Sequence, residues 1–360
     1  MAKAKIEDVL DYIQPTKYIV SSTLYSDGFS IPVLTPGDSF ILGYTNDTKG
    51  VYEASKTAPI ILFDDFTTAI KWVDFPFKVK SSACKILIPK KDCNLRYMYY
   101  LMKHVDFDNS QHKRYWISEF SKIQYEQKDI ENQNIIVNTL DKINELITSK
   151  NSKLLMLDEM IKSRFIEMFE NKGFELVPIR ELVDTKKISA KKNFNSEEEI
   201  KYIDISSIDN ERNIIIGYTN YIMKDAPSRA QQCLRKNDIL ISTVRPNLRN
   251  IAIFKEEDLD YVGSSGFCIL RAKKVNSDYL KYVVLNDKFT NAMVDLTTGA
   301  SYPAIRDEDV LNYLMINAPL ELQNTFADFV QQIDKSKFIV QKQIKELQEL
   351  LDSKMDEYFR

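Results

Sequence analysis

The chain is poor in the residues from which nucleotide-binding loops and metal centres are built. Its 360 residues include nine glycines and two histidines, and the glycines form neither a GxGxxG nor a Walker A pattern. The four cysteines show no CxxC spacing, which with so few histidines argues against a zinc site. An Asn/Asp-Pro-Pro-aromatic motif, the usual mark of an amino-methyltransferase, is missing from the sequence as well. The sequence therefore gives no indication of a catalytic site of its own.

Long apolar runs and a strong net charge are also missing. No run approaches the length needed to cross a bilayer, and the residues after Met1 show no signal-peptide pattern. With the cysteine pattern, this favours a reducing, cytoplasmic setting. The net charge of −3 does not by itself indicate a nucleic-acid binder. Residues 186–250 carry 12 Lys and Arg against 8 Asp and Glu, a basic balance that a mixed solvated surface would explain equally well.

One segment occurs twice, 190 residues apart. Residues 133–170 and 323–360 align without a gap, and 8 of the 38 positions are identical. Neither segment contains Gly or Pro, and in both the apolar residues follow a four-three spacing with Glu, Lys and Gln elsewhere. This pattern is typical of long coiled-coil helices, each roughly 55 Å long at about 1.5 Å per residue.

The shared register predicts one apolar seam on each helix, and two helices with matching seams suit each other as partners. The alternative is that each helix packs only on its own domain. The predicted seam residues are Ile136, Leu140, Ile143, Ile147, Leu154, Leu157, Ile161, Phe326, Val330, Ile333, Val340, Ile344, Leu347 and Leu351.

The two helices leave two globular regions, at residues 1–130 and 173–318. Strands and helices do not alternate regularly there, so we expect α+β domains with mixed or antiparallel sheets. Short helices are predicted at 95–103 and 277–285. The predicted strands are residues 29–34, 39–44, 60–63, 85–88, 202–205, 213–218, 238–242, 251–254 and 267–270.

The two globular regions also echo each other. ILGYTN at residues 41–46 recurs as IIGYTN at 215–220, and VKSSAC at 79–84 recurs as VGSSGFC at 262–268. The order is globule, long helix, globule, long helix. Such a duplicated plan suits a target that is itself in two halves.

Asp64 and Asp65 directly follow the apolar run at residues 60–63. The pair could provide carboxylate ligands for a metal ion. A turn or an Asx cap at the end of a strand explains the same residues at least as well.

Several motifs resemble the specificity subunits of type I restriction–modification systems, and the resemblance covers essentially the whole chain. In the first region it rests on residues 32–35, 40–46, 63–68 and 74–82, which resemble one class of amino-terminal target-recognition domain, and on YWISEFSKI at 115–123. In the second it rests on GASYPAI at 299–305 and APLELQ at 318–323. One departure is KDIENQ at 128–133, which lacks the family's proline-rich entry to the helix.

The resemblance implies a subunit without catalytic activity. Target-recognition domains at residues 1–130 and 173–318 would each read one half of a bipartite DNA site. Conserved helices at 131–172 and 319–360 would pair as an antiparallel coiled coil that fixes the gap between the halves. Methyltransferase subunits, two of them, would dock on this framework and methylate an adenine taken out of the base stack, and restriction subunits would join them. S-adenosylmethionine, ATP and Mg are expected in those partners and no cofactor in this chain.

Residues that could contact DNA are donor-rich loop residues. TVRPNLRN at 243–250 places two Arg and two Asn in a Pro-broken loop after a strand, and such donors suit guanine and adenine edges; a surface turn is the alternative. The candidates are Thr67, Thr68, Lys71, Lys78, Lys80, Ser81, Ser82, Lys113, Arg114, Tyr115, Thr243, Arg245, Asn247, Arg249, Asn250, Ser301 and Tyr302.

A coiled-coil scaffold that binds only proteins is the alternative function. The net charge of −3 favours it slightly. The two functions differ in the expected salt dependence of DNA binding, which is steep for a DNA reader.

Overall fold

The computed structural model describes residues 3–35, 39–90, 93–298 and 303–360, and the chain divides into two compact units. Unit 1 comprises Met1–Ser152 and Gln341–Arg360, and unit 2 comprises Lys153–Val340. Both boundaries fall inside long helices. Each unit therefore contains one globular region and about half of each long helix.

The globular part of unit 1 is built mainly from strands. Its helices are α1 (Ile6–Val9), α2 (Leu95–His104) and the long α3 (Ile130–Phe169), which continues into unit 2. Its strands are β1 (Lys3–Lys5), β2 (Leu10–Ile13), β3 (Ile31–Leu34), β4 (Ile41–Thr45), β5 (Ile60–Asp64), β6 (Ile70–Val73), β7 (Lys78–Val79), β8 (Cys84–Pro89) and β9 (Gln124–Glu126).

The strands of unit 1 form two main sheets. One has the order β2-β8-β5-β6, and all its neighbours are antiparallel. The other has the order β4-β3-β7, in which β3 runs antiparallel to β4 and parallel to β7. A separate pair, β1 with β9, brings the beginning of the described chain beside the residues that precede α3.

Every residue of β5 is buried, because both of its faces are covered. Ile61 and Phe63 point into the apolar cluster that includes α2 and α3. Ile60 and Leu62 point into the cluster formed with the second sheet. The continuous apolar run in the sequence thus reflects the alternation of a strand between two cores.

Unit 2 repeats this construction. Its helices are α4 (Ala190–Asn193), α5 (Ser277–Leu285), α6 (Asp287–Asp295), α7 (Asp307–Leu311) and α8 (Leu320–Phe359), whose second half lies in unit 1. Its strands are β10 (Leu176–Pro178), β11 (Val183–Asp184), β12 (Glu199–Ile203), β13 (Ile208–Asp209), β14 (Ile214–Ile215), β15 (Thr219–Ile222), β16 (Ala230–Cys233), β17 (Ile239–Ser242), β18 (Ile251–Ile253), β19 (Tyr261–Ser264), β20 (Phe267–Ala272) and β21 (Leu314–Ile316).

The two main sheets of unit 2 follow those of unit 1 in strand order and direction, with β16 as an additional strand beside β19. The sheet β11-β20-β17-β18 is antiparallel like β2-β8-β5-β6. In the sheet β15-β12-β19-β16, β12 runs antiparallel to β15 and parallel to β19, as β3 does to β4 and β7. The pair β10 with β21 corresponds to β1 with β9. The duplicated plan indicated by the sequence is therefore present in the fold.

The two long helices run antiparallel within each unit. In unit 1 the beginning of α3, with Leu140, shares an apolar cluster with Leu351 near the end of α8. In unit 2 the end of α3 packs on the beginning of α8, with the Phe165 and Phe326 ring centroids 5.6 Å apart. Neither helix packs only on the globular region before it. The expected α+β fold with paired long helices is confirmed.

Element boundaries differ from the sequence-based expectation by a few residues. The largest difference is at residues 213–218, which were predicted as one strand. β14 and β15 instead flank residues 216–218, and β15 occupies the place of β4 in the matching sheet. In unit 1 the ILGYTN echo therefore lies almost entirely in β4, whereas in unit 2 it runs from the end of β14 into the beginning of β15.

Candidate nucleic-acid interface

Most of the candidate residues of unit 1 lie on three loops that meet at one place. The loops are residues 64–69 after β5, residues 81–83 between β7 and β8, and residues 108–116 between α2 and β9; we call them loop cluster 1. The Asp65 amide donates to the Ala83 carbonyl and the Tyr115 amide donates to the Asp65 carbonyl, both over 2.8 Å. These two backbone bonds join all three loops.

Asp64 and Asp65 support loop cluster 1 from the inside. Asp64 Oδ2 accepts from the Thr67 hydroxyl at 2.7 Å within an Asx-type turn. Asp65 Oδ1 accepts from the Trp116 amide at 2.8 Å, and its Oδ2 lies 3.3 Å from Lys85 Nζ. Both carboxylates are buried. The pair therefore forms the structural turn that the sequence allowed, and the metal-ligand interpretation is not supported by these contacts.

The third loop, residues 108–116, has a fixed backbone although most of its side chains are exposed. Asn109 Nδ2 donates to the Thr67 carbonyl at 2.5 Å. The Tyr115 hydroxyl lies inside the loop, where it accepts from the Gln111 amide at 3.0 Å and donates to the Gln111 carbonyl. Because the backbone is already held, side chains on this loop would lose less conformational freedom on binding a ligand.

Phe66, His112 and Arg114 form a stacked group on the surface of loop cluster 1. The Phe66 and His112 rings are 5.0 Å apart with an interplanar angle of 18°. Arg114 Cζ lies 5.8 Å from the centroid of the Phe66 ring, within cation–π range. His112 and Arg114 are exposed and Phe66 is partly exposed. The sequence singled out Arg114 alone, because a contact between distant loops leaves no local pattern.

Two of the candidates lie in the interior of unit 1, which corrects the expectation of surface contacts. The Lys78 side chain is 2% exposed, and its ammonium lies 3.0 Å from the Asp47 carboxylate. Tyr115 is 1% exposed and its hydroxyl is used inside its own loop. A buried ammonium requires an anionic partner, and the sequence did not reveal that Asp47 would supply one.

The lysine candidates Lys71, Lys80 and Lys113 are partly exposed. Lys113 Nζ lies 2.5 Å from the Glu119 carboxylate, and this ion pair raises the pKa of Lys113. Lys80 Nζ lies 3.5 Å from the Tyr25 hydroxyl. Lys71 Nζ lies 5.9 Å from the Phe40 ring centroid. The structure therefore separates Lys71 and Lys80, which contact side chains outside loop cluster 1, from Thr67, Thr68, Ser81, Ser82, Lys113 and Arg114, which lie on it.

A matching loop cluster exists in unit 2. It combines residues 242–250 after β17, the turn at 265–266 between β19 and β20, and residues 303–306; we call it loop cluster 2. The Thr243 amide donates to the Gly266 carbonyl, and the Ile305 amide donates to the Thr243 carbonyl, both over 2.9 Å. These bonds repeat the two backbone bonds of loop cluster 1 at corresponding positions of the fold.

The two arginines of loop cluster 2 occupy strained backbone positions. Arg245 and Arg249 have φ of 51° and 53° and flank a 3-10 turn at Pro246–Leu248. Left-handed backbone at residues other than Gly costs free energy and is concentrated at functional sites. The Arg245 amide donates to the Pro303 carbonyl at 2.8 Å. The Arg249 guanidinium forms an exposed ion pair with Asp287, the first residue of α6.

The remaining candidates of unit 2 differ in exposure. Asn247 is exposed, and Thr243 and Asn250 are partly exposed. Thr243 Oγ1 donates to the Gly266 carbonyl at 3.0 Å. Ser301 and Tyr302 lie outside the described residues. Whether any of these side chains contacts DNA stays a prediction.

The predicted seam residues of α3 and α8 all face inward to some degree. Leu140, Ile143, Leu157, Ile161 and Val340 are among the buried ones, and the others are buried or partly buried. One polar contact crosses the seam in unit 2, where Lys337 Nζ lies 2.5 Å from the Asp158 carboxylate.

The repeated glutamine is a structural residue whose role the sequence did not reveal. Gln133 Nε2 donates to the Lys128 carbonyl, and Gln323 Nε2 donates to the Ala318 carbonyl, both over 2.8 Å and both five residues back. Gln323 Oε1 also accepts from the Asn276 amide at 2.9 Å. Each glutamine fixes the beginning of a long helix to the segment that precedes it.

The repeated asparagine completes this contact. Asn94 caps α2 and its Nδ2 donates to Asn134 Oδ1 at 2.7 Å; Asn276 caps α5 and its Nδ2 donates to Asn324 Oδ1 at 2.9 Å. We call the Gln-Asn pair with its partners the helix clasp. Its only sequence signal was the identity of Gln133-Asn134 with Gln323-Asn324.

Comparison with known proteins shows similarity to one family over part of the chain. Residues 171–349 match the family model described as "Type I restriction modification DNA specificity domain". A stretch of 160 residues, 41% of this chain, is 46% identical to the specificity subunit of the type I restriction enzyme EcoR124I/EcoR124II of Escherichia coli. Over these residues the chain is similar to type I specificity subunits. The duplicated fold, the paired helices and the sequence resemblance agree with this similarity.

Two further comparisons define how far the similarity to other specificity subunits extends. The HindI specificity subunit of Haemophilus influenzae is 26% identical over 42% of this chain. The crystal structure of the S subunit from M. genitalium has the same fold, with a TM-score of 0.58 over 100% of this chain and 96% of that one at 14% identity. The chain spans 39% and 33% of the lengths of the E. coli and H. influenzae proteins.

Two other findings concern metals and membranes. Across residues 3–35, 39–90, 93–298 and 303–360, no three His, Cys, Asp or Glu side chains lie close enough together to hold a metal ion. None of the helices in the described part of the chain is long and apolar enough to cross a membrane.

Proposed function

We propose that the chain is the DNA sequence-recognition subunit of a type I restriction–modification complex and performs no chemical step itself. Each unit reads one half of a bipartite site through its loop cluster. The observation that carries this proposal is the pair of matched clusters, built on the same backbone bonds but displaying different side chains. Equivalent scaffolds with different exposed donors suit the reading of two different short sequences.

The exposed side chains of the clusters have the chemistry that base reading requires. Arg114 and Arg245 are exposed guanidinium donors, and Asn247 is an exposed amide. The ion pair of Arg249 with Asp287 lies on the surface, where such pairs contribute about 0–1 kcal/mol. A phosphate or a guanine edge could therefore replace Asp287 at low cost.

Partners supply the chemistry in this proposal. Two methyltransferase subunits dock against the paired helices α3 and α8, whose pairing sets the gap between the half-sites, and restriction subunits join them. S-adenosylmethionine and ATP with Mg are held by these partners, since this chain displays no loop pattern for nucleotides. The complex works in the cytoplasm, where its DNA substrate is.

The first experiment is to map N6-methyladenine across the genome of cells that express this chain with its neighbouring modification subunit. The expected result is a methylated motif in two short parts around a fixed unspecific gap. Cells with the modification subunit alone are the control and should show no such motif. Random or absent methylation, with the complex assembled and binding S-adenosylmethionine, would contradict the proposal.

Arg245 and Arg249 provide a test within unit 2. If they read bases, Arg245→Ala and Arg249→Ala relax the recognised sequence in one half-site. If they contact phosphates, the loss of affinity is spread over all sequences and the salt slope becomes shallower by about one for each contact. Unchanged affinity and an unchanged motif in both variants would remove these residues from the interface.

The scaffold function is favoured by two observations. The net charge is −3, and Leu155, Met156 and Phe338 on the long helices are 69%, 66% and 68% exposed. A protein-binding scaffold would bind DNA weakly at every salt concentration. The assembled complex of a DNA reader instead loses affinity steeply between about 50 and 200 mM salt.

A further inference from the structure

We propose that Phe66 and His112 hold the Arg114 guanidinium in position to read one guanine in the half-site of unit 1. The inference rests on the proposed function and deepens it. Arg114 is the reading residue, Phe66 and His112 are the positioning residues, and a guanine is the base that is read.

The charge of Arg114 is available for a ligand. Its neighbour Lys113 lies 2.5 Å from the Glu119 carboxylate, and Arg249 of the other cluster pairs with Asp287. In the part of the chain that the structure describes, Arg114 has no such carboxylate partner and lies over the Phe66 ring instead. An exposed cation on an aromatic face keeps its hydrogen-bond donors free in the plane of the guanidinium.

The stack also restricts where that plane can lie. Phe66 is followed by Thr67, whose hydroxyl is bound to Asp64 at 2.7 Å and whose carbonyl accepts from Asn109 at 2.5 Å. The Phe66 ring is further held by the His112 ring, whose centroid lies 5.0 Å away. A guanidinium resting on a ring held in this way is more ordered than one on a free side chain, which lowers the entropic cost of binding.

The stack is not needed to hold the loops together. The backbone bonds of Asp65 and the hydroxyl bonds of Tyr115 already fix the loop. An exposed cation–π contact contributes only about 0.5–1 kcal/mol. The stability of the fold therefore does not require three exposed or partly exposed side chains arranged in this way, whereas a recognition surface can use them.

The chemistry of the donor selects the base. Arginine can donate two parallel hydrogen bonds to O6 and N7 of guanine, and this is the commonest base-specific contact in the major groove. Lysine presents a point charge and cannot reproduce the planar pair of donors. Arg114→Lys should therefore keep the attraction to DNA and lose the choice of base.

The test uses the assembled complex of this chain with its modification subunits, and measures the methylation rate on DNA in which every position of both half-sites is varied. For Arg114→Ala and Arg114→Lys, the preference for guanine over other bases should fall by about ten- to a hundredfold at one position of one half-site. Phe66→Leu and His112→Leu should weaken the same preference at the same position. Phe66→Tyr, which retains the ring, should leave it in place.

Lys103→Ala is the control, since it removes an exposed charge of the same sign from α2, outside loop cluster 1. It should leave the preference at that position unchanged. An even loss of methylation over all sequences in Arg114→Ala, or a motif unaltered at every position, would overturn the inference. So would relaxation in Arg114→Ala with full preference retained in Phe66→Leu and His112→Leu, because the positioning residues would then have no role.

Failure of this inference and failure of the proposed function give different results. If the complex with the original sequence methylates a bipartite motif but the Arg114 variants keep the preference for guanine at every position, only the inference is wrong. If the unvaried complex recognises no bipartite motif, the proposed function is wrong and the inference falls with it. Thermal unfolding of each variant complex shows whether Phe66→Leu has lost its fold, in which case the comparison of Phe66→Tyr with His112→Leu decides.

Discussion

Units 1 and 2 share their strand order and their helix clasp, yet they differ in charge where the short helix meets the long one. In unit 1, Arg96 of α2 donates to Asp141 of α3 at 2.8 Å. In unit 2, the residue that corresponds to Arg96 is Asp278 of α5, because each lies two residues after the cap of its helix. Asp278 accepts a hydrogen bond from Gln331 of α8 at 3.2 Å. Gln331 and Asp141 are the same position of the repeated helix.

We expect this difference to give each long helix a preferred globular region. If the beginning of α3 packed on unit 2 in place of α8, Asp141 would face Asp278, and two carboxylates at such a distance repel each other. The apolar pattern is too similar in the two helices to make that choice. A duplicated protein can thus use apolar residues to define its fold and a few polar residues to keep its halves distinct.

The largest expected effect comes from the aromatic residue that ends each long helix. Phe169 is 1% exposed and contacts Tyr279 and Phe326, with ring centroids 4.7 and 5.4 Å away. Phe169→Ala should lower the free energy of unfolding of unit 2 by about 3–5 kcal/mol, because it leaves a cavity. Phe359 is only partly buried, so Phe359→Ala should destabilise unit 1 less. Hydrogen exchange of each unit measures both, and equal losses would contradict the comparison.

The helix clasp should rank second. Gln323→Ala removes the partner of the Ala318 carbonyl and of the Asn276 amide. Leaving buried groups unpaired costs about 1–3 kcal/mol. Gln133→Ala should likewise lower the stability of unit 1. Denaturant titration gives both values, with Asn324→Ser as a control that keeps Gln323 in place; no loss in either glutamine variant would show that the clasp is not a stabilising contact.

Changes of charge at residues 331 and 278 test whether polar contacts decide which globular region each long helix packs on. Gln331→Asp places a second carboxylate beside Asp278 and should destabilise unit 2 by about 1 kcal/mol. Adding Asp278→Arg recreates the pair found in unit 1 and should restore the lost stability. A double-mutant cycle of thermal unfolding measures the coupling. If the double variant is no more stable than Gln331→Asp, the charges do not assign the helices.

The smallest effect concerns acid. Hydrogen bonds from Ser21 and Lys78 hold the pKa of Asp47 well below its ordinary value of 3.8. A carboxylate with a lowered pKa stabilises the fold above its unfolded pKa, and that contribution is lost as the pH falls below 3.8. Ser21→Ala removes one of these hydrogen bonds and keeps the ion pair with Lys78, so it should reduce the stability of unit 1 slightly at pH 7 and make its decline in acid shallower. An unaltered acid profile would show that the hydrogen bond from Ser21 contributes nothing.

Much of the fold could be predicted from local pattern. The long helices, predicted at residues 133–170 and 323–360, were found at Ile130–Phe169 and Leu320–Phe359, since a four-three spacing without Gly or Pro has few other solutions. β5 and β17 were found within a residue of their predicted bounds, because runs that alternate between two cores are apolar throughout. The prediction of one strand at residues 213–218 was wrong, because the pairing of β15 with β12 is not a local property of the sequence.

The candidate site was predicted less completely. Loop residues such as Arg114 and Arg245 could be selected by type, since guanidinium donors in loops are uncommon in a core. His112 and Phe66 could not be selected, because their contact joins two loops that only the sheet brings together. Lys78 was selected although it is buried, because nothing near it in the sequence indicates the ion pair with Asp47.

The sequence by itself determined the duplication, the two long helices with their seams, the α+β character of the globular regions and the family resemblance. Each follows from periodicity, composition or motif, which are local or repeated properties. Only the tertiary structure decided that each unit contains about half of each long helix. It also decided that a repeated Gln-Asn pair connects the short helix to the long helix. Finally, it decided that three loops meet around Asp65 in unit 1 and around Thr243 in unit 2. These depend on hydrogen bonds and packing between residues far apart in the chain, whose free energy no local pattern contains.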